Sequence, residues 1–151
     1  LRRTGGFDLK KVTIYTDGAC QNNPGPGGYG AILICGSYRK EISGGDPATT
    51  NNRMEVMGAI VALEMLKTSC EVEIYSDSRY LVDAVEKGWI TRWKANGWRR
   101  KNAPALNVDL WERLLPLLSN HKVQFRWMKG HSGHPENERC DVLANAAIAK
   151  L

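Results

Sequence analysis

At 151 residues, 42% hydrophobic and 25% charged, the chain has the size and composition of one globular domain with a single sizeable core. Apolar runs such as Ala59–Leu63 are far too short to cross a bilayer, and no apolar stretch follows the basic N-terminus, so neither a membrane span nor a secretory leader is expected. The net charge of +5 is local: Lys87, Arg92, Lys94, Arg99, Arg100 and Lys101 share an acid-free segment, and the rest of the chain has 15 basic against 16 acidic residues. A cationic stretch on an otherwise balanced chain suits a polyanion such as a nucleic-acid backbone.

In chain order, Lys11–Asp17 alternates apolar and polar residues and predicts a strand. A loop rich in Gly, Asn and Pro (GACQNNPGPGG) follows, then a strand over Tyr29–Cys35, a short Gly36-Ser37 turn and a strand over Tyr38–Ser43. Asn52–Lys67 is apolar on nearly every side, which predicts a helix largely buried against a sheet. Asn51 or Asn52 is its expected cap, and Asn52 with Glu55 resembles a capping box. Glu71–Ser76 predicts a strand and Ser78–Lys87 a helix. The basic, tryptophan-containing stretch comes next, then a helix from about Val108 capped by Asn107, which Pro116 should kink or end early. Lys122–Met128 alternates and predicts the fifth strand; Pro135 suits the first turn of a closing helix reaching about Lys150. This order implies an α/β fold, a five-stranded mixed sheet whose first three strands are antiparallel, with helices on both faces. Cys20, Cys35, Cys70 and Cys140 form no C-x-x-C pair, which argues against a zinc ribbon and predicts free thiols in a reducing, cytoplasmic setting.

Four acids fall where open α/β sheets collect ligands: Asp17 and Asp77 end strands, Glu55 opens a helix, and Asp141 lies one turn into the last helix. Singly, each has an ordinary role. Asp17-Gly18 is a plausible turn, Glu55 a capping partner, Asp77 a helix-start acid and Asp141 a solvated residue. Jointly, they suit phosphodiester hydrolysis, in which two divalent ions roughly 4 Å apart stabilise the attacking and leaving oxygens. An all-oxygen donor set without a cysteine or histidine cage favours magnesium.

The blocks YTDGACQNNPGPGGYGA (15–31), TTNNRMEVMGAIVALEML (49–66), YSDS (75–78), NVDLW (107–111) and KGHSGHPENERCDVLA (129–144) resemble bacterial type 1 ribonuclease H, in order and at matching spacing. The resemblance covers residues 11–150 and implies a ribonuclease H-like catalytic domain over 11–151, with residues 1–10 an extension without a match. It implies that Asp17, Glu55, Asp77 and Asp141 bind two magnesium ions, with manganese a workable substitute. An activated water then attacks the RNA strand of an RNA/DNA hybrid, leaving a 5′-phosphate and a 3′-hydroxyl. His131 corresponds to a mobile histidine assisting proton transfer or product release, and His134 to a loop or helix-start residue. Cys20, Asn22, Asn23, Asn51 and Asn52 match positions that contact the hybrid, where 2′-hydroxyls distinguish RNA from DNA. Thr50 and Asn107 match positions that grip a DNA phosphate, and turn or cap chemistry can hold at the same residues.

Residues 89–101 resemble a basic protrusion that holds the DNA strand through Lys94, Arg99, Arg100 and Lys101. Of its three tryptophans, Trp93 and Trp98 are expected to pack a small core of the protrusion and Trp89 to make surface contact. Arg79 stands where many bacterial members have glutamine, which puts the minor-groove contact there in question. Pro116 interrupts a helix usually free of proline. A monomer with no obligate protein partner is expected. The alternatives are a hybrid-binding module that has lost catalysis, which four intact acids argue against, and a transposase or junction resolvase of the same fold, which the asparagine loops and protrusion argue against.

Overall fold

The computed structural model describes residues 9–151. Residues 1–8, most of the expected extension, lie outside the described residues, and Lys10 already belongs to the first strand. The elements are β1 (Lys10–Cys20), β2 (Gly25–Cys35), β3 (Tyr38–Thr49), α1 (Asn51–Glu64), β4 (Cys70–Ser76), α2 (Arg79–Glu86), α3 (Trp89–Ala95), α4 (Val108–Asn120), β5 (Lys122–Trp127) and α5 (Pro135–Ala149). One five-stranded sheet has the order β3-β2-β1-β4-β5. The first three strands form an antiparallel meander, and β4 and β5 add in parallel to β1, giving the mixed sheet expected from the sequence.

Strand alternation assigns each face a helix layer. Val12, Ile14, Ala31, Leu33, Val72 and Ile74 are buried with α1 residues Val56, Ile60 and Leu63, and with Leu81, Trp111 and Leu114 from α2 and α4. The opposite face receives α5: a Cβ on Gly28 or Gly30 would run into the α5 backbone at Ala144 or Cys140. These contacts correct the reading of GACQNNPGPGG as a loop. Strand β1 runs on to Cys20 and β2 resumes at Gly25, and Gly27, Gly28 and Gly30 are strand residues without side chains because a helix or another strand lies directly on them.

Two further expectations need correction and a third is met in part. Helix α1 starts at Asn51, and its cap is Thr50, whose hydroxyl accepts from the Arg53 N–H at 3.2 Å; neither Asn51 nor Asn52 caps it. Asn107 is the N-cap of α4 as expected, but it caps through its carbonyl, in the left-handed region (φ 61°), without a side-chain cap bond because its amide is engaged elsewhere. Helix α4 continues through Pro116 to Asn120. Pro116 and Glu112 both lie on the exposed side of α4, where water can replace the i+4 bond that the Glu112 carbonyl loses. At the far end of α4, the His121 Nδ1 accepts from the Cys70 N–H at 3.0 Å and ties that helix to the start of β4. Among the described residues, no helix is long and apolar enough to cross a membrane.

Candidate active site

Parallel pairing creates the site. Thr16 is in register with Ser76, so the next residues, Asp17 and Asp77, emerge side by side from adjacent strands. Glu55 joins them from the first turns of α1, which approaches β1 so closely that a Cβ on Gly18 would stand 2.5 Å from the Glu55 nitrogen. One carboxylate oxygen from each of Asp17, Glu55 and Asp77 falls within 4.8 Å of the others.

Electrostatics make this cluster costly without a cation. Asp17 and Glu55 are 4% and 5% exposed, and Glu55 Oε1 is buried with no hydrogen-bond partner. Burial, then the negative charge of Asp77, pushes the Asp17 carboxyl up to about 8, against a weaker opposing pull from the Gly18 N–H. Burial, then Asp17, holds Glu55 well above the ordinary carboxylate range. An unpartnered buried oxygen among like charges is the donor set that a hard divalent ion completes. Asp141, half-buried on α5, lies outside the three-oxygen cluster, yet its charge raises both Asp17 and Glu55. Its carboxylate and carbonyl accept from the Asn145 amide.

The KGH loop crosses this cluster: a Cβ on Gly130 would stand 2.3 Å from an Asp77 carboxylate oxygen. His131 follows, exposed and in the left-handed region (φ 53°), its N–H donating to Asn137 Oδ1 at 3.4 Å. Buried Asn137 thus fixes the histidine's main chain, a role without a local pattern that would announce it. His134 caps α5 by accepting from the Asn137 N–H and stacks near Tyr15, so it is a helix-start residue as expected.

The predicted hybrid contacts converge on a neighbouring surface. Asn23 Oδ1 accepts from the Asn51 N–H at 2.9 Å, and the Cys20 thiol contacts the Thr49 and Gly25 carbonyls, clipping the β1–β2 hairpin to the start of α1. Asn22, Asn23 and Asn52 are exposed there. Asn107 Oδ1 accepts from Arg53, and its amide donates to the Tyr80 hydroxyl; Arg53 also grips Asp109 at 2.7 Å. Arg53 and Tyr80 were not singled out from sequence, since an arginine and a tyrosine on separate helices carry no spacing signal. Lys94, Arg99, Arg100 and Lys101 are all exposed on the segment that follows α2. Trp89 departs from expectation: like Trp93 and Trp98, it is half-buried against the core, and the Trp89–Trp93–Trp111 rings succeed one another at 6.2 Å.

Sheet order, helix placement and the acidic metal-binding cluster define the ribonuclease H-like fold. A family model described as RNase H matches residues 9–149, taking in two residues of the expected extension. The chain is 61% identical to a ribonuclease H of Desulforamulus reducens over 93% of this chain and 89% of the relative. With a ribonuclease H of Moorella thermoacetica the identity is 58%, over 95% of each. The crystal structure of LC9-RNase H1, a type 1 RNase H with the type 2 active-site motif, superposes with a TM-score of 0.87 at 32% identity, over 97% of this chain and 75% of that one. LC11-RNase H1 in complex with RNA/DNA hybrid gives 0.70 at 27% identity, over 92% and 97%. The chain belongs to the ribonuclease H family, type 1, and is a ribonuclease H enzyme.

Proposed function

We propose that the chain hydrolyses the RNA strand of RNA/DNA hybrids with two divalent ions, magnesium or in substitution manganese, and leaves 5′-phosphate and 3′-hydroxyl ends. The observation that carries this reading is the buried Asp17–Glu55–Asp77 cluster with its unpartnered Glu55 oxygen. Ions held by these three carboxylates, with Asp141 beside them, would supply charge stabilisation at the attacking and leaving oxygens of the phosphodiester. Water oxygen bonds to phosphorus and gives up a proton to solvent, the bond from phosphorus to the 3′-oxygen breaks, and that oxygen gains a proton. His131, exposed on the loop over Asp77, is placed to exchange that proton with solvent. Asp17, pushed up to about 8, holds a proton at neutral pH in the metal-free protein, so cation binding displaces a proton and strengthens as pH rises.

Substrate is held on two sides. Cys20, Asn22, Asn23, Asn51 and Asn52 offer amides and main-chain groups to the minor groove, where 2′-hydroxyls mark the RNA strand. Thr50 and Asn107 flank a phosphate position, with Arg53 behind them. Lys94, Arg99, Arg100 and Lys101 grip the DNA strand, and the half-buried tryptophans brace that segment from below. Changing Arg99, Arg100 and Lys101 together to alanine is expected to weaken hybrid binding for every sequence and to lower the salt slope of log K by about 3, one per phosphate contact. Anisotropy titrations at several salt concentrations check this, and an unchanged slope would remove the protrusion from the phosphates. The four free thiols suit a reducing compartment, and we assign the enzyme to the cytoplasm as a monomer.

End-labelled RNA/DNA hybrid, RNA duplex and DNA duplex of one sequence, each with magnesium or EDTA, test the function. Cutting confined to the RNA of the hybrid and lost in EDTA is expected. Cutting of the DNA duplex would instead favour a resolvase-like nuclease.

A further inference from the structure

Two residues after Asp77, at the start of α2, stands a cation without a carboxylate partner among the described residues. Arg39, Arg53, Arg113, Arg126 and Arg139 each hold a carboxylate within 3.0 Å, whereas among the described residues Arg79 holds none, like Arg92, Arg99 and Arg100 of the basic segment. Its guanidinium lies instead 3.9 Å above the centroid of the Trp127 ring. Trp127 is itself fixed. It is in register with Ser76 where β4 and β5 end, and its indole Nε1 donates to the Asp77 carbonyl oxygen at 3.0 Å. The next residue, Met128, donates its N–H to the Ser76 carbonyl at 2.9 Å. Asp77, Arg79 and Trp127 are therefore one block at the ends of two parallel strands.

This arrangement orders a flexible cation before any ligand arrives. Stacking takes up one flat face of the guanidinium and leaves its N–H edge for a planar or tetrahedral anion. Holding the side chain in advance lowers the ordering cost of binding. Trp127, 40% exposed, would otherwise be an unexplained large aromatic at the rim of the site. Among the described residues no protein carboxylate pairs with it, and Asp83, one turn along α2, is taken by Lys87 at 3.5 Å, so the N–H edge is left for an anion from outside the chain. A backbone phosphate matches the guanidinium fork with two hydrogen bonds between opposite charges; a guanine edge can accept two as well, but brings neither the ion pair nor the counterion release.

We propose that Arg79, held in place by Trp127 as a positioning residue, binds a backbone phosphate of the hybrid flanking the one that is cleaved. This assignment rests on the hybrid-nuclease reading above. It differs from a neutral minor-groove contact in adding one counterion-releasing charge to the substrate footprint.

The test is anisotropy of a labelled RNA/DNA hybrid on the Asp17→Asn protein in magnesium across a salt series, with further changes at positions 79 and 127. Arg79→Gln is expected to weaken binding several-fold at low salt and to lower the salt slope by about 1. Arg79→Lys is expected to retain the slope. Trp127→Leu is expected to keep the slope, because the charge remains, while weakening binding; Trp127→Phe, which keeps a ring but loses the indole N–H, is expected to recover most of that loss. An unchanged slope with Arg79→Gln would overturn the phosphate assignment and leave the hybrid reading intact. Unchanged binding with Trp127→Leu would overturn the positioning role. A parent protein that fails to bind the hybrid at any salt concentration would overturn the hybrid reading and this assignment together.

Discussion

Asp17→Asn is expected to lose cleavage by on the order of 10³-fold or more, the scale of removing one preorganised charge-stabilising group, while making the metal-free protein more stable at neutral pH. The second effect follows from proton linkage. Asp17 has an ordinary value of 3.8 and is pushed up to about 8 in the folded protein, by burial first and by Asp77 second. Between those values the folded chain binds more protons than the unfolded one, so stability falls as pH rises through the window from 4 to 8. Asparagine has the same shape and no charge to bury, so the variant escapes that decline. A gain of about 3 kcal/mol near pH 7–8 is expected, below the full linkage value because Asp77 and Glu55 share the repulsion, and it raises the melting temperature by roughly 6–12 °C. Magnesium should shrink the difference by stabilising the parent protein alone. Melting curves with and without magnesium from pH 5 to 8 measure this. A variant melting no higher than the parent in EDTA at pH 8 would mean that Asp17 is not held under strain by the cluster, and retained turnover would remove it from the metal site.

The same cluster shows what the sequence could and could not disclose. Asp17 and Asp77 each end a strand, and once β1 and β4 are paired in parallel their adjacency is forced. Pairing is a property of the sheet, so the sequence named the residues without their distance. Glu55 shows a local signal overridden by the fold. Three positions after Asn52 it looked like half of a capping box, but Thr50 supplies the cap and Glu55 points its carboxylate into the buried cluster. Asn107 shows the reverse: a cap residue by type, it spends its amide on Arg53 and Tyr80, two partners distant in sequence. Trp89 was assigned to the surface because tryptophan beside lysine and arginine suits base stacking, yet a helix as short as α3 can hold its place only by burying its aromatic side chains. Glycine was the least legible residue. Without a side chain it signals turns and close backbone approach equally, and only the placement of the neighbouring helices and strands separates the two.

That ambiguity leads to the second large effect, which Gly30→Ala should produce. Gly30 pairs with Asp17 across β1 and β2, on the sheet face that α5 covers. A methyl group there would stand 2.5 Å from the Cys140 carbonyl oxygen and 2.7 Å from the Leu143 Cβ. No rotamer change relieves a clash with helix backbone, so α5 must shift as a body. It cannot pivot cheaply about the next turn, because Gly28 lies equally close under the Ala144 carbonyl. Moving the helix would also strain the contact of the buried Cys140 thiol with the Tyr15 carbonyl, 3.3 Å away, and displace Asp141, the next residue, from the carboxylate cluster. Overpacking against a rigid neighbour costs about 3 kcal/mol, or roughly 6–12 °C in melting temperature for a chain of this size. Cleavage assayed well below the melting point should fall as well, and raising magnesium should restore part of it, because a displaced Asp141 weakens ion binding more than it changes the chemistry. Gly36 supplies the control: it sits in the β2–β3 turn at φ +60° with nothing within 4 Å of a Cβ, and asparagine tolerates that backbone, so Gly36→Asn should leave both stability and turnover close to the parent. If Gly30→Ala melts within 2 °C of the parent, the tolerance expected from overpacking data is exceeded, and the flush seating of α5 on β2 is not what holds Asp141 beside the other three acids.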